Sequence, residues 1–231
     1  MSKHHKNNSS GKNLMNQVIM WGAGILVVGV IVVGLAKILG PAFTQTELPA
    51  DFSVGKVTAA DHVKGDVNSK VTLIEYGDFQ CSACGAYYPL VKRLEADLGD
   101  KIALVYRHFP LRSAHPHAET MARASEAAGK QGKFFEMHDM IFENQDKWSS
   151  ESRVTKVVLD YATQLGLDIT KFEKDMDSFE VKDKIQLDLQ GGREADISGT
   201  PSFFLNGQPI RFPSGYDDLK ATVEAALAIA K

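Results

Sequence analysis

The sequence predicts an α/β domain with a large helical insertion, carried behind one N-terminal transmembrane helix. Three observations predict it. Residues 18–36 form an apolar run with no charged side chain. Two β-branched and aromatic segments, 71–76 and 102–106, flank an amphipathic helical pattern, which reads as a strand–helix–strand crossover. From about residue 113 to 195 the periodicity is almost wholly helical, and strand signals return only after it.

Composition narrows the class. The chain has 231 residues, 44% hydrophobic and 24% charged, which excludes a wholly disordered polymer. Its two cysteines exclude a disulfide-dense scaffold, and they fall short of a four-thiolate zinc site unless histidines complete it. The net charge of −3 conceals an asymmetry. Lys3, Lys6, Lys12 and Lys37 precede the first acid, Glu47, so the body beyond residue 40 is acidic. With no basic run, that body argues against nucleic acid as the main partner.

Residues 1–17 are polar and basic and are expected to be a cytoplasmic tail, because excess lysine marks the cytoplasmic side of a membrane span. The apolar run opens a segment, 18–40, read as an uncleaved signal anchor. At the helical rise its core covers roughly 28 Å, near the thickness of bilayer hydrocarbon. Gly22, Gly24, Gly29 and Gly34 suit a membrane helix better than a soluble one. A cleavable signal peptide would have a shorter apolar region, about 7 to 15 residues, and a small-residue cleavage site. Residues 41–53 are expected to be a linker, and 54–231 the folded domain.

Within that domain, residues 71–76 (V-T-L-I-E-Y) predict a buried strand interrupted by one acid, Glu75. Tyr87, Leu90, Val91, Leu94 and Leu98 predict a helix, kinked at Pro89, that starts near Cys81. Residues 102–106 predict a second core strand. Helices are expected over 118–128, 154–165, 168–176 and 181–189, with Phe134, Phe135, Met137, His138, Ile141 and Phe142 on one further apolar face. Strands at 202–205 and 208–211 are joined by Asn206-Gly207, a strong hairpin signal, and a helix at 216–230 closes the chain.

The chemistry concentrates in Cys81-Ser82-Ala83-Cys84 at the helix start. There, unpaired backbone N–H groups and the helix dipole stabilise a thiolate on the first cysteine. Cys81 is the expected nucleophile and Cys84 the resolving thiol. Half of a metal site and an inert structural disulfide are the competing readings of the motif. Glu75 lies six residues before Cys81. Buried, it would have a raised pKa and could exchange the proton that moves when Cys84 leaves or attacks; facing water at a sheet edge, it would do nothing. Pro201 opens a core strand after Gly199-Thr200, a position that an ordinary trans proline also fills.

Glu75-Tyr-Gly-Asp-Phe-Gln-Cys81-Ser-Ala-Cys84, Thr200-Pro201 and the helical insertion between them resemble the DsbA-like thiol–disulfide oxidoreductases of the thioredoxin superfamily. The resemblance covers roughly residues 56–231. It implies a thioredoxin-like fold, a cis Pro201 facing the cysteines, and Thr200 offering its backbone to an extended substrate. It also implies Glu75 as a buried proton relay and Cys81 as the sulfur that forms the mixed disulfide. No cofactor or metal is implied. Implied partners are exported clients with thiols and a membrane partner that reoxidises the pair. Strongly oxidising members often carry Pro-His between the cysteines; Ser82 and Ala83 supply no positive charge, so a weaker oxidant is expected. The competing functions are a reductase or isomerase, a copper-handling protein on the same fold, and a tethered binding module. Elsewhere, His115 and His117 are expected to be structural. The acids between Glu173 and Asp188 are expected on a solvated face, and Gly191-Gly192 lacks the setting of a phosphate loop.

Overall fold

The computed structural model describes residue 48 and residues 53–230, within a unit that runs from Thr46 to Lys231. The expected tail and signal anchor lie outside the described residues, as does most of the expected linker. Among the described residues no helix is long and apolar enough to cross a membrane.

The elements, in chain order, are β1 (His62–Gly65), β2 (Thr72–Gly77), α1 (Ser82–Leu98), β3 (Ala103–His108), α2 (Ala118–Gly129), α3 (Phe134–Glu143), α4 (Gln145–Trp148), α5 (Val154–Gln164), α6 (Ile169–Met176), α7 (Phe179–Glu194), β4 (Ser202–Leu205), β5 (Gln208–Pro209) and α8 (Tyr216–Ile229). The strands form one sheet in the order β1-β3-β2-β4-β5. β2 and β3 are parallel and joined through α1, with Glu75 in register with Tyr106; every other pair is antiparallel.

Strand residues alternate between two faces. Leu73, Leu104, Phe203 and Leu205 pack against Leu94 and Leu98 of α1 and Leu219 and Val223 of α8. Ile74, Tyr76, Val105 and Phe204 pack the other way, with Phe109 and Leu189 of α7. The insertion α2–α7 supplies a third cluster around Met121, Phe134, Met137, Ile141, Val158 and Phe172, and this cluster takes in Cys81, Cys84 and Tyr106. Two glycines are dictated by geometry. A Cβ on Gly77 would come within 2.5 Å of the Tyr106 ring. Asn206 and Gly207 both have positive φ (51° and 80°), which the tight β4–β5 turn requires.

Three elements and one charged face depart from the sequence reading. β1 was not foreseen, because His-Val-Lys-Gly has no apolar alternation; it holds its place by pairing with the edge of β3. α4 is a single turn, too short for any periodicity to show. β5 stops at Pro209 rather than residue 211, with one further bond from the Ile210 amide to the Phe203 carbonyl. The acids between Glu173 and Asp188 do not form one solvated face: Asp175 and Asp188 are buried and held by lysines. α1 contains Pro89 within its span, where the sequence reading placed it.

Candidate active site

Cys81 is the N-cap residue of α1, in an extended conformation (φ −71°, ψ 121°). A helix begins with N–H groups that no preceding turn satisfies, and an N-cap side chain ordinarily accepts from the second and third of them. Here those residues are Ala83 and Cys84; the Cys81 side chain closes no cap hydrogen bond, but their amides favour its thiolate. Together with the Cys84 thiol and the Thr200 hydroxyl they bring the Cys81 pKa down to about 5, against a desolvation cost. Cys84 behaves oppositely. It is fully buried, and burial, the neighbouring Cys81 sulfur and the charge of Glu75 push its thiol well above the ordinary value. One sulfur is therefore a thiolate at neutral pH and the other a thiol. Both cysteines are free.

Glu75 sits in β2, between β3 and β4, and is 7% exposed, so the water-facing alternative does not hold. Burial first, and the Cys81 charge second, raise its pKa to about 8. Its carboxyl group lines a narrow cleft under α1, with Tyr106, His138 and Asp139 further along it and Lys64 and Lys92 also on its wall. The Thr200–Pro201 bond is cis, and the Thr200 carbonyl accepts from the Cys81 thiol at 3.3 Å. Ser82 is exposed and Ala83 half-buried, so neither side chain contributes charge to the pair.

Several residues that position the site were not singled out from the sequence. Asp78 is buried; its carboxylate accepts from the Gln80 and Leu111 amides and from His115 Nδ1, at 2.7–2.8 Å. Its own amide donates to Cys84 Sγ at 3.5 Å, and its carbonyl accepts from the Cys81 amide. Gln145 donates to the carbonyls of Phe79 and Cys81, tying the one-turn α4 to the nucleophile loop. Gln80 bridges Ser149 and the His117 amide. An acid directly after Gly77 was the only sequence signal for any of these contacts. His117 is the N-cap of α2. Phe134 and Met137 are core, and Phe135 and Met140 pack half-buried against it. Among the described residues no group of three His, Cys, Asp or Glu side chains is placed to hold a metal ion.

Comparison with known proteins starts from this geometry. A family model described as Thioredoxin matches residues 57–225. Among curated proteins, one named Na(+)/H(+) antiporter NhaA 1 from Mycobacterium sp. (strain KMS) is 38% identical over 169 residues, covering 71% of this chain and 26% of that protein. Another, NhaA 3 from Salinispora tropica, is 37% identical over 171 residues, 74% of this chain and 25% of that one. The chain thus spans about a quarter of the length of these curated relatives. Among solved structures, a thioredoxin-like oxidoreductase from Silicibacter pomeroyi DSS-3 is 25% identical with a TM-score of 0.63, over 73% of this chain and 93% of that one. Oxidised BdbD from Bacillus subtilis (22% identity, TM-score 0.65) covers 73% and 94% of the two chains. The α-DsbA1 of Wolbachia pipientis (22%, TM-score 0.64) covers 81% and 98%, and these last two likenesses are of fold.

Proposed function

The chain belongs to the thioredoxin family, and from that premise we propose that it is a DsbA-like extracytoplasmic oxidase that introduces disulfides into exported proteins. The observation that carries the reading is the split between the sulfurs: Cys81 held near pKa 5 and Cys84 far above the ordinary thiol value. A thiolate stabilised in the reduced state makes the disulfide easier to reduce, and so a better oxidant of others. The client's thiolate attacks Cys81 Sγ in the Cys81–Cys84 disulfide. The electron pair of that bond leaves on Cys84, which takes the proton that Glu75 holds. A second client thiolate then attacks the client's own sulfur in the mixed disulfide and expels Cys81 as its stable thiolate. The client loses two electrons to the pair, and a membrane redox partner takes them on. The Thr200–Pro201 turn, whose Thr200 carbonyl already meets Cys81, presents its backbone to an extended client.

The groups that favour the Cys81 thiolate are the neutral Cys84 thiol, the Thr200 hydroxyl and backbone amides rather than a histidine, which fits an oxidant somewhat weaker than the most oxidising relatives. Residues 18–40 would anchor the domain outside the membrane, with residues 1–17 in the cytoplasm. The antiport named in the curated relatives belongs to those whole proteins and is not part of this reading.

The test is oxidative refolding of a reduced, unfolded client by the oxidised protein. Stoichiometric client disulfides, lost in Cys81→Ser, support the reading. Full function of Cys81→Ser would instead identify a binding module. A membrane-impermeant thiol reagent that labels Cys81 on intact cells tests the topology.

A further inference from the structure

Asp78, in the turn between β2 and α1, meets both cysteines through its backbone. Its carbonyl accepts from the Cys81 amide at 3.1 Å, and its own amide donates to Cys84 Sγ at 3.5 Å. Its side chain is buried, and the carboxylate accepts from the amides of Gln80 and Leu111 and from His115 Nδ1. A carboxylate only accepts, so Nδ1 carries the proton.

The Asp78 amide matters most when Cys84 carries charge. Burial, the Cys81 sulfur and the Glu75 charge oppose an anion there, and this amide favours it. Its direction is held at two points. A trans peptide is planar, with its C=O and N–H on opposite edges. The Gly77 carbonyl, on the far edge of the same peptide unit, accepts from the Phe109 amide at 2.8 Å. The second point is the side chain, where the Leu111 amide and His115 Nδ1 share Oδ2 at 2.8 and 2.7 Å. Phe109, Leu111 and His115 all belong to the loop between β3 and α2. His115 is braced in that loop, its amide donating to the Leu111 carbonyl and its carbonyl accepting from the Ala118 amide. Its side chain is 24% exposed, so replacing it opens little of the core.

We propose that His115 is a positioning residue for the exchange: by donating its Nδ1–H to Asp78 it keeps the Asp78 amide on the Cys84 sulfur while that sulfur leaves or attacks. The proposal rests on the thiol–disulfide reading above and adds a residue to it. When the client thiolate bonds to Cys81, the Cys81–Cys84 bond breaks and its electron pair settles on Cys84. The Asp78 amide meets that charge until the proton held by Glu75 arrives. A donor already in place costs no reorganisation at the moment of reaction, whereas one free to turn must first be brought back. With two donors instead of three the carboxylate can tilt, and the amide turns with it. His115 acts through Asp78 and not on either sulfur itself.

The signature is a rate effect that follows the position of one nitrogen. Asparagine can place an N–H donor where Nδ1 stands, and glutamine places it nearer Nε2. Stopped-flow reduction of the oxidised protein by glutathione should slow about tenfold in His115→Ala and His115→Gln, and the reverse step by the same factor. His115→Asn should stay within about threefold of wild type. The equilibrium constant should hold within about twofold in all three, because Cys84 is uncharged in both the disulfide and the thiol. The Cys81 alkylation midpoint should also hold, since Cys84, Thr200 and the Ala83 amide set it. In NMR spectra of the reduced protein the Asp78 amide proton should shift in the Ala and Gln variants and not in Asn. Wild-type rates in His115→Ala would overturn the proposal, and so would His115→Asn as slow as His115→Gln. A rate change in one direction alone, with a matching shift in equilibrium, would also overturn it, because that is the mark of altered packing. Should His115→Ala fail to fold, the Asn and Gln variants decide alone, and equal rates in the two overturn the proposal. If the wild-type pair itself fails to exchange with glutathione, it is the thiol–disulfide reading that falls.

Discussion

Glu75 and Arg107 are both charged-type side chains buried in neighbouring central strands, and they are treated in opposite ways. Arg107, 2% exposed on one face of the sheet, donates to both oxygens of Asp61, to Tyr76 Oη, and to the carbonyls of Val54 and Lys56. Around it Lys184 meets Asp188, Asp188 receives the His108 amide, and Glu126 joins His108 to His62. Glu75, on the face toward α1, has no hydrogen bond or ion pair to its carboxyl group among the described residues. The Arg107 lattice ties the segment before β2 to β3 and the insertion, and full pairing holds its charges where they are. Glu75 is left unpaired, so burial makes it keep its proton up to near neutral pH, where that proton can be exchanged. A buried charge that serves structure is saturated, and one that serves chemistry is left short of partners.

The sharpest break of that contrast is at the sulfur which the unpaired side serves. Cys81→Ser should abolish disulfide transfer to a reduced client while leaving the fold intact, as measured by refolding yield and circular dichroism. Next in size is the paired side. Asp61→Ala strands Arg107 and should cost about 3–5 kcal/mol in urea unfolding. The alkylation midpoint of Cys81 should stay near 5, because none of the groups that set it belongs to that lattice.

Glu75→Gln separates stability from rate. The folded pKa of about 8 lies above the ordinary 4.5, so the folded protein keeps a proton that the unfolded chain releases between those values. Glu75 therefore costs stability increasingly as pH rises from 4.5 to 8. The glutamine variant should match wild type below pH 4.5 and be more stable by roughly 3 kcal/mol at pH 7. Its exchange rate should fall about a hundredfold as the proton donor is lost.

Cys81 carries the opposite sign. Its folded pKa is depressed, so the reduced form gains stability as pH rises from about 5 toward 9 and loses it as pH falls through 5. Thermal melts of the two redox forms should show the reduced protein more stable at pH 7, with the gap closing near pH 5. The smallest effect is at Thr200. Thr200→Val removes one donor of several and should raise the Cys81 alkylation midpoint by about half a unit to one unit.

Much of this could be read from the chain because the reactive residues stand close together in sequence. The cysteines, the strand that leads into them and Glu75 fall within thirteen residues, and the periodicity of β2 and α1 places all of them. The insertion helices are long enough to declare themselves. What stayed hidden depends on tertiary contact. Asp78 reads as a turn residue until His115 and the Leu111 amide close on it. Gln145 reaches the nucleophile loop only because a one-turn helix is folded against it. Arg107, Lys184 and Asp188 look like surface charges in a one-dimensional pattern, because a charge is recognisable as buried only when its partner, here as many as 123 residues away for Lys184 and Asp61, is known.

The measurement that bears most directly on the split between the two sulfurs is the reduction potential of the Cys81–Cys84 pair, equilibrated against glutathione at pH 7. Thioredoxin stands near −270 mV and the strongest oxidases of this type near −120 mV. A Cys81 thiolate held near pKa 5 by neutral donors predicts a value between them and more positive than about −200 mV. A potential at or below about −250 mV would contradict the account and make the pair a reductant.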